Sequence, residues 1–319
     1  MLVQKCRIMK PVLSTCLFIV LVNICNTAMA QGCSDAGFCT IGNLAQQSGK
    51  HRSKNNFSLQ LPVGVGDEGV IVFTPALQYD RTFNGQWSFQ TKITANYADG
   101  NLGSAAAPGD LYLSGTYIFP SQKNWKWSTT LGSKILLNQS NLKENNLSLP
   151  MQYQSSLGTV DVIAGLSVFN EHWQFSTGLQ QPLTGTNGNN FLPVYWAVGS
   201  KAQEAAAYIP TNDFNRKGDV LARGSYKKKL NEKFSFDAGL LAIYHLGEDT
   251  YIDGNVSSRP INIKGSDGLT LNASAACWLK LGAKLTLGLT AAVPLVVRDV
   301  RPDGLTREFV IAPEISWNF

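Results

Sequence analysis

The sequence predicts an all-β chain closed into an antiparallel, up-and-down barrel of about twelve strands that crosses a membrane. Three observations predict it. From Lys54 to Phe319, apolar residues recur at almost every second position, the period of a strand with one apolar face. Most of these stretches are longer than the ~5–6 residues usual in soluble sheets and match the ~9–11 that span a bilayer at a tilt. Their connections alternate between short and long, as in membrane barrels with tight turns at one rim and loops at the other.

The elements follow in chain order. Residues 1–30 read as an export signal. Lys5, Arg7 and Lys10 precede an apolar run from Val12 to Ile24, and Ala28-Met29-Ala30 has the small-x-small pattern of a cleavage site, so the mature chain is expected to start at Gln31. The run falls short of the ~20 apolar residues of a spanning helix. Residues 31–53 lack alternation. Three roles fit them: a periplasmic arm, a lumen plug or a disordered leader. Cys33 and Cys39 lie here, close in sequence, and are expected to pair as a small disulfide loop in an oxidising compartment. Cys277, mid-strand among apolar neighbours, reads as a packing residue.

The barrel is assigned to residues 54–319. Strands are predicted near 54–63, 69–80, 86–97, 109–119, 125–137, 157–168, 171–182, 218–229, 232–245, 268–280, 283–296 and 307–319. Short turns fall near Asn84-Gly85, Ser121–Asn124, Asn170-Glu171, Asn231 and Gly282; long loops fall near 98–108, 138–156, 183–217, 246–267 and 297–306. After four of the short turns comes an aromatic pair two residues apart: Trp87/Phe89, Trp125/Trp127, Trp173/Phe175 and Phe234/Phe236. Such pairs at one height describe an interfacial girdle. Pro75, Pro294 and Pro313 interrupt strands and are expected to mark bulges or kinks.

Charge excludes other classes. Charged residues make up 15% of the chain, against roughly 25% in a soluble domain. With 27 Lys+Arg and 22 Asp+Glu, three of the bases lost with the signal, the mature chain is nearly balanced and has no footprint for nucleic acid. The apolar face carries almost no charge along its centre, where one would cost about 2–4 kcal/mol in a bilayer. A soluble sandwich would place charges on that outer face.

On these features the chain resembles the Gram-negative outer-membrane β-barrel superfamily. The resemblance rests on the signal, the strand–turn rhythm from Lys54 to Phe319, and the terminal Ile315-Ser316-Trp317-Asn318-Phe319. It implies a lipid surround in the outer membrane and recognition of Ile315, Trp317 and Phe319 by the barrel-assembly machinery. In architecture the chain is also similar to small-solute channel families such as the putative aromatic-compound transporters.

Twelve strands leave room for a narrow aqueous path or one small ligand. Alternation turns Lys92, Lys126, Lys134, Arg223, Lys227, Lys280 and Arg298 inward, with Asp80, Asp161, Asp237 and Glu314. Lys92, Lys134, Asp161, Arg223, Asp237 and Glu314 are the lumen-lining candidates. Two readings stand: an electropositive path for anions, or a ladder of salt bridges bracing the wall. The 183–217 loop is too apolar for solvent, and Phe191, Tyr195, Trp196 and Tyr208 are its constriction candidates. It is expected to fold inward, to dock on the mouth, or to hold an extra hairpin that would make fourteen strands.

No catalytic residue, metal or cofactor is expected. His245 and Asp249 form a candidate pair, but no metal-ligand spacing or glycine-rich phosphate loop occurs. The expected function is a channel or transporter for small solutes; the alternative is a non-conducting barrel acting as anchor, scaffold or binding protein. Neither the solute nor the oligomeric state is legible.

Overall fold

The computed structural model describes residues 41–45 and 54–319 except Val198 and Thr306. The signal segment, Cys33 and Cys39 lie outside the described residues. The strands are β1 (Asn55–Gln60), β2 (Val63–Gly66), β3 (Ile71–Phe73), β4 (Ala76–Thr82), β5 (Trp87–Gly100), β6 (Gly103–Ile118), β7 (Lys126–Leu136), β8 (Lys143–Glu144) and β9 (Leu147–Ser148). They continue with β10 (Asp161–Phe169), β11 (Trp173–Pro182), β12 (Asp219–Lys229), β13 (Phe234–His245), β14 (Thr250–Asp253), β15 (Ser257–Asn262), β16 (Gly268–Lys280), β17 (Leu285–Val296) and β18 (Arg307–Asn318).

Every wall strand pairs antiparallel with its neighbour, and β18 returns to pair with β1 and β2. β1 with β2 forms one wall strand and β3 with β4 the next, so the closed sheet has twelve among the described residues. The hairpins β8–β9 and β14–β15 pair apart from the wall, inside long loops. Among its described residues loop 183–217 holds no strand; it has a 3-10 turn at Pro193–Trp196 and the short helix α1 (Ala202–Ala206). The fourteen-strand expectation therefore fails, because the larger extra hairpin sits in the 246–267 loop and stays out of the wall.

One expected loop is absent. Residues 98–108 were expected to be a long connection, but β5 and β6 run on as paired strands to a turn at Asn101-Leu102. A bulge sets Thr94 against both Gly109 and Asp110, and the inward-facing phase of β6 flips across it. Thr94 Oγ1 takes the Asp110 amide proton at 2.8 Å, repairing the ladder there.

The prolines act in two ways. Pro294 lies beside a register shift between β16 and β17. Pro75 and Pro313 shift no register: the pairing on either side is continuous, and their carbonyls accept from the amides of Ala95 and Leu61. What they remove is a ladder donor.

Three of the five short turns share one device. The side-chain oxygens of Asn84, Asn170 and Asn231 each accept from the amides two and three residues on, the latter belonging to Trp87, Trp173 and Phe234. An Asx turn thus fixes where each upward strand begins. The aromatics that follow are largely exposed and meet at the rim, with Trp173 stacked on Phe175 at 5.9 Å and tilted on Tyr226 at 4.9 Å.

Inside and outside are reversed relative to a soluble protein. Outward Leu131 and Leu166 are 64% and 50% exposed, while inward Lys134 and Asp161 are fully buried. Such a surface suits lipid, and the outward charges Arg81, Asp99 and Lys228 stand only next to the ends of their strands.

Candidate functional site: a lumen obstructed at two levels

The lumen is the only interior this wall encloses, and chain segments enter it at two heights. Toward the short-turn rim lies Ile41–Ala45. Ile41 and Leu44 are completely buried with Tyr112, Ile163, Leu221 and Leu241, apolar side chains that point inward from β6, β10, β12 and β13. Around them the wall donates to the segment's backbone. Gln174 Nε2 reaches the carbonyls of Asn43 at 2.6 Å and Ala45 at 3.2 Å, Ser167 Oγ reaches Asn43 O at 3.0 Å, and an Arg223 guanidinium nitrogen reaches Leu44 O at 3.1 Å.

At the other rim, loop 137–160 dips into the barrel. Asn96 Nδ2 donates to Gln154 O at 3.0 Å and Ser156 Oγ to Asp110 at 2.6 Å, tying the loop to the walls of β5 and β6. Asn189, fully buried, stitches this loop to loop 183–217: its amide nitrogen donates to Ser140 O and Leu149 O, and its oxygen accepts from Thr211 and the Phe191 amide. Tyr153 and Tyr208 bond each other and Asn101 at the β5–β6 turn. Burial, with the Tyr153 hydroxyl beside it, pushes the Tyr208 phenol far above its ordinary range.

A buried charge network closes the remaining side. Asp303 Oδ2 accepts from Arg298 at 2.8 Å and Arg216 at 3.3 Å, and Arg216 also pairs with Asp219 at 2.7 Å. His245 lies between Asp219 (2.7 Å) and Asp249 (2.8 Å). Arg298 caps Ser266 O, and Ser266 Oγ accepts from the Asp249 amide. Burial pushes the Asp303 carboxyl up, but Arg298 and Arg216 outweigh it and hold the group far below the usual carboxylate range. Burial alone weakens the hold of Arg216 on its proton, and Asp219 and Asp303 outweigh that. The network joins the starts and ends of loops 183–217, 246–267 and 297–306. Gly304 then carries it to the dipping loop: at φ +65 its Cα lies so near that a Cβ would stand 2.4 Å from Met151 O.

No family model matches the chain, and no curated protein matches it. Among solved structures it is similar to the COG4313 outer membrane channel from Pseudomonas putida F1, with TM-score 0.59 and 12% identity over 86% of this chain and 100% of that one. The fold is that of an outer-membrane β-barrel. Lesser likenesses are the NanC porin (TM-score 0.46, 8% identity, 82% of this chain and 98% of that one) and the translocator domain of the autotransporter NalP from Neisseria meningitidis (0.45, 8%, 85% and 90%).

Within the barrel the six lumen-lining candidates, Lys92, Lys134, Asp161, Arg223, Asp237 and Glu314, all face inward and are buried. Most of their visible contacts are with one another or with neighbouring polar groups. Lys134 Nζ lies 3.4 Å from Asp161 and 3.9 Å from Asp110, Lys92 Nζ donates to Gln60 at 2.8 Å, and Glu314 accepts from Gln60 and Ser316. Of the constriction candidates, Phe191, Trp196 and Tyr208 are buried in one cluster with Val70, Leu102 and Tyr153. Tyr195 departs from expectation: the 3-10 turn rolls Trp196 inward and leaves Tyr195 55% exposed. The His245–Asp249 pair forms, but a second carboxylate takes the other ring nitrogen, so the imidazole braces loops and has no nitrogen left for a hydroxyl. Ile315 and Trp317 stand on the outer face of β18, the strand that closes the wall, and the exposed Phe319 directly follows it.

The sequence reading missed Asp303, Arg216 and Asn189, and carried Ile41–Ala45 only within the 31–53 segment, for which a lumen plug was one of three roles. Only the inner apolar belt left a signal, since Ile163, Leu221 and Leu241 sit in phase with otherwise small or polar lumen positions.

Proposed function

We propose that the chain is a channel for small solutes in the outer membrane of a Gram-negative bacterium, exported with loss of residues 1–30. The observation that carries this reading is the inversion of the closed wall: an apolar exterior around a lumen of amides, hydroxyls and paired charges. The short-turn rim then faces the periplasm and the loop rim the outside. Solutes enter past the lid of loops 137–160, 183–217 and 297–306, where Phe191, Trp196 and Tyr208 hold loop 183–217 down. With the lumen bases engaged by acids and carbonyls, size and hydrogen bonding select solutes more than net charge does. Ile315, Trp317 and Phe319 serve assembly, by their likeness to the terminal signal of such barrels.

Conductance of the purified, refolded full chain in planar bilayers tests the function, with a heat-dependent shift in detergent electrophoresis as the check on folding. Discrete conductance steps are expected. A heat-shifting protein that neither conducts nor takes up solutes would favour the anchor or scaffold reading instead.

A further inference from the structure

The segment Ile41–Ala45 fits its surroundings as a ligand fits a site. Gly42 has φ +48, and a Cβ there would stand 2.4 Å from Thr116 Oγ1 and 3.1 Å from Thr130 Cγ2, so only glycine passes so close to β6 and β7. The wall is cut back where the two large side chains lie. A Cβ on Gly132 would meet Ile41 Cδ1 at 3.2 Å, and one on Gly165 would meet Leu44 Cδ2 at 2.8 Å. Polar complementarity is equally close: Gly42 N donates to Gln90 Oε1 at 2.8 Å, Asn43 Nδ2 to Ser128 Oγ at 3.0 Å, and the carbonyls of residues 43–45 are taken by Gln174 and Arg223. Shape, apolar contact and backbone recognition all converge on five residues that belong to no wall strand.

We propose that Ile41–Ala45 is a tethered ligand, seated in a peptide-binding site built into the lumen wall, and that it narrows the path until it leaves. The part about the path rests on the channel reading; the site itself does not. The ligand class follows from the contacts: a short apolar peptide with a branched aliphatic side chain, glycine next, and a second aliphatic side chain two residues beyond. Only eight residues separate Ala45 from Lys54, the first described residue of the barrel. Ligands joined to a site by a short linker act at roughly millimolar effective concentration, so the free peptide is supplied at that level.

The test uses the full chain carrying Gly42→Val and Leu44→Lys. The first change collides with Thr116, the second puts a cation among the apolar side chains of Tyr112, Ile163, Leu221 and Leu241, and neither alters a wall residue. Eviction is expected to raise single-channel conductance severalfold with the heat shift intact. The synthetic heptapeptide Thr40–Gln46, added at millimolar concentration from the short-turn side, is expected to bring conductance back down; the same peptide with valine in place of Gly42 is not. Calorimetric titration of the double variant with the two peptides gives a readout independent of conductance. If the variant conducts no more than the parent and the native peptide does not bind it, the proposal is overturned. If neither form conducts, the channel reading fails, and the seat stands or falls on whether the variant binds the native peptide and rejects the valine peptide.

Discussion

Replacing Asp303 by asparagine tests whether the loop-rim network is a lid fastening or part of the wall. The carboxylate is fully buried and bridges two guanidinium groups, so Asp303→Asn keeps the shape and removes the one charge Arg298 and Arg216 share. Arg216 keeps Asp219, and Arg298 is left with the Ser266 carbonyl. Removing one partner of a buried pair costs about 3–5 kcal/mol; because Arg216 remains paired, the lower end applies, about 3 kcal/mol. At about 1.4 kcal/mol per tenfold, the open state of loop 297–306 becomes roughly 100-fold more populated. Loop 149–157 should loosen with it, since Gly304 packs on the Met151 backbone. Hydrogen exchange of the folded protein in detergent reads this directly. Amides of 297–306 and 149–157 should exchange about two decades faster, while those of β10 to β13 keep their rates. Unchanged loop protection, or faster exchange in the wall instead, would refute the argument, because the charges would then be holding strands together.

Three further outcomes are expected. Lys134→Met leaves Asp161 and Asp110 facing each other in a buried site, so unfolding should become easier by about 3–5 kcal/mol while the reversal potential stays put; a shifted potential with unchanged stability would restore the electropositive-path reading. Acid should leave the lid closed until unusually low pH. Asp303 is depressed in the folded state, so its stabilisation is complete above the ordinary carboxylate value of about 3.9 and is lost only as pH falls through the depressed one; opening of loop 297–306 between pH 7 and about 5, read by the same exchange measurement, would contradict this. Phe319→Asp keeps the backbone bonds to Asn55 that close the barrel seam, so refolding in detergent should survive while the amount inserted in cells falls; parental levels of inserted protein would show that Phe319 is no assembly signal.

The wall was legible because its two faces meet different solvents. Residues such as Leu285, Leu287 and Leu289 against Thr286 and Gly288 show the period whatever the strand's ends do, and every wall strand other than β6 falls within a few residues of where alternation places it. The β5–β6 turn was illegible for a physical reason. Ser104 to Gly109 are small residues or proline with no hydropathy contrast, and the bulge opposite Thr94 reverses their phase, so two paired strands read as a loop. The contents of the lumen were harder still. Arg216 and Asp219 are near neighbours in sequence, but Asp303 lies 87 residues beyond Arg216 and meets it only after the wall has closed, and no spacing along the sequence encodes that meeting.

How the contents are held bears on what the barrel does. The wall needs none of them: its ladder is closed by its own pairing, with β18 returning to β1 and β2. The inserted segments are fixed differently, by side-chain bonds to carbonyls and by a few apolar contacts, as Gln174 and Arg223 hold residues 43–45 and Asn189 holds the lid. Each such bond nets only about 0.5–1.5 kcal/mol, and water replaces much of it once the segment leaves. Removing a segment therefore exposes polar lumen groups to solvent they accept and breaks no strand pairing. A core that can empty while its shell stays folded is the physical condition for gating. In this chain the inserted segments at both rims belong to no wall strand.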